Sequence, residues 1–334
     1  MSLVNIPWQN GAVLLMLGVL LGGCGASTCE DPQTSVQGIS TQDWMSQIYS
    51  NQDINLRDLV IPGTHDSGTY GITASSDVSL GSETWFYQFA KPVVAGWSKT
   101  QACNIAQQLD GGIRYLDLRL EWHKDQVWIV HGMFSDTLEN VLQDIGTFSE
   151  AHPQEIVILD FQELTSVEYY GATHDLIQTQ LSGQMLSSQW GAESTLHQLW
   201  DANEGNIIAV MNGSQMADLS EDYWYRGATL ESDWANSGNA DVVRAHVTNA
   251  IENRADGQFS VAQAVVTGNA SSIIAGIFGG PNTLLKFNQP IADEINTWVA
   301  GWVDDGLPVN IVMTDFYDRT GVVQTIIETN IDAL

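Results

Sequence analysis

Positive charge is scarce in this chain: 334 residues carry 11 lysines and arginines against 40 aspartates and glutamates, for a formal net charge of -29. Phosphate backbones are bound through Lys and Arg, so a nucleic-acid partner is excluded. Docking on an anionic membrane by charge alone is excluded on the same ground. Cysteine is scarce too. Cys24, Cys29 and Cys103 have none of the spacings of a metal site. The chain shows no repeat, no low-complexity tract and no linker that would split off a second domain. No obligate protein partner is implied.

The apolar run Gly11 to Leu21 is too short for the roughly 20 residues of a membrane-spanning helix. It suits the core of a signal peptide, although no Lys or Arg precedes it. Leu21-Gly22-Gly23-Cys24 resembles a bacterial lipobox. The expectation is an exported protein: residues 1–24 a signal peptide of lipoprotein type, or else of plain secretory type, 25–40 a polar tether, and 41–334 one catalytic domain. Lipidation at Cys24 would leave Cys29 and Cys103, which an oxidising compartment permits to pair. A free structural thiol at Cys103 is the alternative.

With 44% hydrophobic residues the chain has material for a large core, and its length suits a single (β/α) barrel. Leu59-Val60-Ile61 reads as a short buried strand stopped by Pro62-Gly63. Further strands are expected at Ile113–Leu120, Val127–Val130, Ile156–Phe161, Ile207–Val210 and Val309–Met313. A helix from Asp136, with Glu139 as a capping pair, carries Leu138, Val141, Leu142, Ile145 and Phe148 at helical spacing. Another runs from Val322 to the end. Strands alternating with helices point to parallel βα units. The stretch from Tyr223 to Pro308 yields no clear strand, so eight strands are not countable and the barrel is expected to be distorted or incomplete.

The chemistry-bearing residues fall at strand ends: His65 and Asp66, Asp117 and Arg119, His131, and Asp315. In a parallel barrel such ends converge on one face. Two histidines supply a base and an acid near neutral pH, which suits in-line attack on phosphorus. An arginine supplies a fixed cation for the phosphoryl oxygens. Aspartates would orient the imidazoles. The remaining histidines lack such a context and read as structural.

Ile61-Pro62-Gly63-Thr64-His65-Asp66-Ser67-Gly68-Thr69 resembles the first signature of the phosphatidylinositol-specific phospholipase C X-domain family. Gly112 to Arg119 resembles the second, Val130-His131-Gly132 the third, and Ile311 to Tyr317 the late strand. The resemblance implies a TIM-type (β/α)8 barrel that cleaves phosphatidylinositol, or a related glycerophospholipid, to diacylglycerol and a cyclic inositol phosphate. His65 would be the general base, oriented by Asp315. His131 would be the general acid, with Asp66 as its partner. Arg119, helped by Asp117, would neutralise the phosphate. Arg119 stands where calcium-dependent members hold a carboxylate, so activity without metal or other cofactor is expected.

The bacterial enzymes of the family grip the inositol ring with a Lys and an Arg. The matching places here hold Phe161-Gln162 and Asn212, while Asp233 and Trp234 are candidate sugar contacts. Apolar stretches at Trp85-Phe86-Tyr87 with Phe89, and at Ile273, Ile274, Ile277 and Phe278, are candidates for contact with a phospholipid membrane or for core packing. Two other functions compete: a metal-dependent glycerophosphodiesterase or sphingomyelinase-D-like enzyme, and a non-catalytic lipid- or sugar-binding lipoprotein.

Overall fold

The computed structural model describes residues 27–30, 33–79, 90–165, 169–212, 221–277 and 279–334. The expected signal peptide, Cys24 and the aromatic stretch Trp85 to Phe89 lie outside them. No helix among the described residues is long and apolar enough to cross a membrane.

Ten strands build one sheet: β1 (Ile61–Thr64), β2 (Tyr115–His123), β3 (Gln126–Val130), β4 (Phe134–Thr137), β5 (Val157–Leu164), β6 (Ile207–Met211), β7 (Tyr223–Tyr225), β8 (Leu230–Glu231), β9 (Phe259–Ala264) and β10 (Ile311–Thr314). The hydrogen-bonded order is β8-β9-β10-β1-β2-β5-β6-β7, parallel throughout. The two end strands are consecutive in the chain, joined by Arg226–Thr229 rather than paired among the described residues. The result is a single-domain α/β barrel with an open seam. The stretch after Tyr223, opaque in sequence, supplies β7, β8 and β9. Two of these have only three and two residues, too short to show a period.

Side-chain alternation sorts residues between lumen and exterior. Tyr115, Ile158, Ile208, Val210, Trp224 and Met313 pack together inside, above a floor that includes Trp44, Met45 and Leu56. Leu116, Leu118, Leu159 and Ala209 face outward onto α2 (Ile105–Asp110) and α3 (Leu138–Ala151). On the other flank α4 (Ala240–Glu252), α5 (Gln289–Asp304) and α6 (Val322–Asp332) cover Ala262, Ala264 and Val312. A further helix, α1 (Lys91–Ser98), leads toward the mouth of the barrel.

Several local expectations need correction. Pro62 and Gly63 lie inside β1 rather than ending it. Ile61 N–H donates to Asn310 and the Pro62 carbonyl accepts from Arg114 N–H, so the ladder holds on both sides of the missing donor. A Cβ on Gly63 would meet Tyr115 Cδ1 at 2.8 Å. Helix α3 is capped by Thr137, which accepts from Asn140 N–H, not by Asp136 with Glu139. The expected tether is held to the body. Ser35–Val36 pairs with Ile39–Ser40, Val36 is buried in the floor, and Cys29 is joined to Cys103.

Candidate active site

β3 is antiparallel to β2, not a barrel strand of its own. This changes how His131 reaches the mouth. β2 overshoots the barrel to His123, turns at Lys124-Asp125, where both residues have positive φ, and β3 returns with Ile129 opposite Leu120. His131 therefore arrives back at the level of Arg119. His65 comes off the end of β1, with its N–H on the Thr314 carbonyl. Asp315 comes off the adjacent β10.

All six residues meet. His65 Nδ1 lies 2.8 Å from Asp315 Oδ1. A carboxylate only accepts, so Nδ1 carries the hydrogen and Nε2 faces the cleft. That Nε2 lies 3.2 Å from Asp66 Oδ2 and 3.2 Å from Arg119 Nη2. His131 Nε2 lies 3.3 Å from the same Asp66 oxygen, while His131 Nδ1 donates to the Ser98 carbonyl at 2.8 Å. Arg119 pairs with Asp66 through Nε at 2.8 Å and stands 3.6 Å from Asp117. The imidazole centroids are 6.1 Å apart and nearly perpendicular.

Asp66, Asp117 and Asp315 are buried, whereas the side chains of Arg119 and His131 are 25% and 30% exposed. The carboxylates thus form a fixed floor, and Arg119 and His131 face the opening. Asp66 (φ 42) and Phe316 (φ 45) adopt left-handed backbone beside His65 and Asp315. Such conformations persist where the surroundings enforce them. Here Asp66 N–H donates to Asp117 Oδ2 and Phe316 N–H to the Thr100 carbonyl.

The electrostatics follow. Burial pushes the His65 imidazolium down, but Asp66 and Asp315 outweigh it and raise its pKa to about 9. Burial pushes Asp66 up, yet Arg119, His131 and His65 together hold it below the usual carboxylate range. Asp117 is pushed up to about 6 by burial, against the pull of Arg119. His65, Asp66 and Asp117 also offer three ligand atoms within 4.8 Å of one another, a set able to take a cation. The Arg119 guanidinium already stands against both carboxylates.

The candidate head-group residues do not join this cluster. Asp233 pairs with His246 at 3.3 Å and is largely exposed. Trp234 is half exposed, with its Nε1–H on Thr267. Gln162 sits where the register of β5 against β2 shifts, between Phe161 opposite Leu118 and Glu163 opposite Arg119, and Asn212 follows β6 at the open end. Among the described residues neither hydrogen-bonds to His65 or His131.

Sequence reasoning missed Asp160, opposite Asp117 in the ladder and fully buried. It accepts from Tyr115 Oη at 2.8 Å and from Arg226 Nε at 2.9 Å and Nη2 at 3.1 Å. An acidic residue inside an apolar strand was the available signal, because buried charge is kept only when paired.

The fold and this charged mouth define the class: an incomplete α/β barrel with its polar residues at the carboxyl ends of parallel strands. Comparison narrows it. Residues 88–210 match the family described as phosphatidylinositol-specific phospholipase C, X domain. PI-PLC X domain-containing protein 1 of Mus musculus is 31% identical over 310 residues, covering 86% of this chain and 86% of that protein. PI-PLC X domain-containing protein 2 of Mus musculus is 29% identical over 308 residues, covering 87% and 88%. The chain belongs to the PI-PLC X-domain family. The matched segment contains Asp117, Arg119 and His131, while His65 and Asp315 lie outside it. The phosphatidylinositol-specific phospholipase C of Listeria monocytogenes shares the fold, with a TM-score of 0.64 at 19% identity over 87% of this chain and 99% of that one. The bacterial likeness rests on that fold, because the sequence relatives named here are from an animal.

Proposed function

We propose that this protein is a metal-independent phospholipase C. It cleaves phosphatidylinositol, or a closely related glycerophospholipid, to diacylglycerol and a cyclic inositol phosphate. The observation that carries the reading is the pair of imidazoles whose Nε2 atoms both face Asp66 Oδ2, at 3.2 and 3.3 Å, beside the Arg119 guanidinium. His65 Nε2 takes the proton of the ring 2-hydroxyl. That oxygen attacks phosphorus, the bond from phosphorus to the glycerol oxygen breaks, and His131 Nε2 gives its proton to that oxygen. Arg119 meets the charge on the phosphoryl oxygens with directed donors that do not titrate. Asp315 fixes the His65 tautomer.

Arg119 supports independence from metal, since a divalent ion at Asp66 and Asp117 would have to displace a cation already paired there. The Cys29–Cys103 bridge supports export, because disulfides persist in oxidising compartments.

The test incubates the protein lacking residues 1–24 with phosphatidylinositol vesicles, in chelator and then in calcium, with His65→Ala as control. Cyclic product in chelator, absent from the variant, is the expected result. Activity only with calcium would overturn the role given to Arg119 and favour the three-ligand cation site. No product in either condition would remove phosphatidylinositol as the substrate.

A further inference from the structure

We propose that residues 98–103 are a positioning strap that sets both imidazoles and the Asp315 turn at once, with the Cys29–Cys103 disulfide as its anchor. The segment leaves the end of α1 at Ser98 and enters α2 after Asn104. Three loops carry the site, and this one stretch bonds to all of them.

The Ser98 carbonyl takes the His131 Nδ1 hydrogen. A carbonyl only accepts, so this contact fixes the ring and leaves Nε2 as the atom that faces Asp66. Thr100 Oγ1 bonds the carbonyls of His65 and Asp66 at 2.9 and 3.0 Å. Gln101 Nε2 bonds the carbonyls of His65 and Thr314 at 3.2 and 2.8 Å. On the return side the Thr100 carbonyl accepts from Phe316 N–H at 2.7 Å, and Gln101 Oε1 accepts from Tyr317 N–H at 3.3 Å. These bonds hold the left-handed Phe316 that follows Asp315. Thr100, Gln101 and Cys103 are fully buried, so water cannot replace what they donate.

The segment has little regular structure of its own to hold it. Its far end is pinned twice: Cys103 is bonded to Cys29, and its carbonyl accepts from Gln108 Nε2, which also reaches the Ser67 carbonyl. Cys29 in turn lies on an N-terminal stretch whose Glu30 N–H donates to Asp318, two residues beyond Phe316. The bridge therefore ties the strap, through Glu30, to the same loop that Thr100 grips at Phe316. A catalytic group misplaced by about 1 Å can lose on the order of a hundredfold in rate.

The kinetic part of this inference rests on the function proposed above, so the test carries a readout that needs no turnover. The protein lacking residues 1–24 is compared with Thr100→Val, Thr100→Ser and Cys29→Ser by kcat and KM on phosphatidylinositol, by thermal midpoint, and by 15N signals of the histidine rings. Thr100→Val is expected to lower kcat about tenfold or more with KM little changed. Thr100→Ser, which keeps the hydroxyl, restores it. Cys29→Ser lowers kcat in the same way, and both deficient variants shift the His65 and His131 ring signals while still folding. A fall in thermal midpoint with ring signals and kcat unchanged would overturn the strap, leaving the segment merely structural. Should the parent protein turn over no phosphatidylinositol, unmoved ring signals would sink the strap and shifted ones uphold it. The failure of the substrate is thereby separated from the failure of the strap.

Discussion

Arg114 and Arg119 bracket the first half of β2 and share one signature in the sequence, yet they are opposite kinds of arginine. Arg114 is fully buried and saturated: Nε and Nη2 hold Glu155 at 3.0 and 2.8 Å, and the remaining donors reach the carbonyls of Leu109, Ile113, Thr41 and Gln42. Its guanidinium carbon also stands 4.7 Å over the Phe148 ring. Arg119 is partly open, and its partners are the carboxylates and imidazole of the mouth. A guanidinium with every donor used ties a floor together. One with donors turned to a cleft is free to meet an anion. The difference follows from position, because the amino end of a barrel strand is sealed and its carboxyl end is open.

The comparison can be broken by substitution. The largest effect is expected at the mouth. His131→Ala should cost on the order of a hundred- to ten-thousandfold in kcat, with the thermal midpoint nearly kept because that ring is partly exposed. Initial rates and calorimetry check both halves.

At the floor the sign reverses. Arg114→Met leaves Glu155 buried without its partner and should destabilise by roughly 3–5 kcal/mol. Activity per folded molecule should hold. Denaturant unfolding beside active-site titration separates the two, and a floor variant that stays stable but loses kcat would erase the distinction.

Arg119→Lys keeps the charge but loses the fork. It should lower kcat by about a hundredfold, without the stability loss of the Arg114 variant.

A smaller effect concerns pH. His65 acts as a base only once deprotonated, so kcat/KM should climb with pH toward about 9. Its folded value lies above the ordinary imidazole value of 6.5. The stability it contributes is therefore full below 6.5 and is lost as pH rises through 9. Asp315→Asn removes one of the two carboxylates that raise it, and should move the limb of the rate profile to lower pH. A profile that stays in place would mean that another group sets it.

Much of the site was legible in the chain. His65 with Asp66, Asp117 with Arg119, His131 and Asp315 each sit in a local pattern, and all six converge. The strands themselves were legible where a run of Val, Ile and Leu made a core strand, as at Val157 to Leu159, although this one runs on to Leu164 rather than ending at Phe161. The antiparallel course of β3 was not. A return strand has the same alternation as a parallel one, and only its partner tells them apart. The strap was invisible for a similar reason: Ser98, Thr100 and Gln101 are ordinary polar residues until burial deprives them of water. Asp233 and Trp234, the candidate sugar contacts, lie with His246 and Thr267, outside the histidine cluster. The aromatic stretch Trp85 to Phe89 lies outside the described residues, as does Phe278.

By itself the sequence determined which groups the mouth can offer, because side-chain chemistry is local: two imidazoles, a guanidinium and their carboxylates are written residue by residue. It also determined the class of fold, because the strand and helix periods are local. Only the tertiary structure decided which arginine opens onto the cleft and which carboxylate both histidines face, and how a hairpin brings His131 back to the mouth. It alone shows that a loop next to Cys103 bonds both the His131 ring and the backbone of His65. Burial and pairing join residues far apart in the chain, and no window along the sequence contains them.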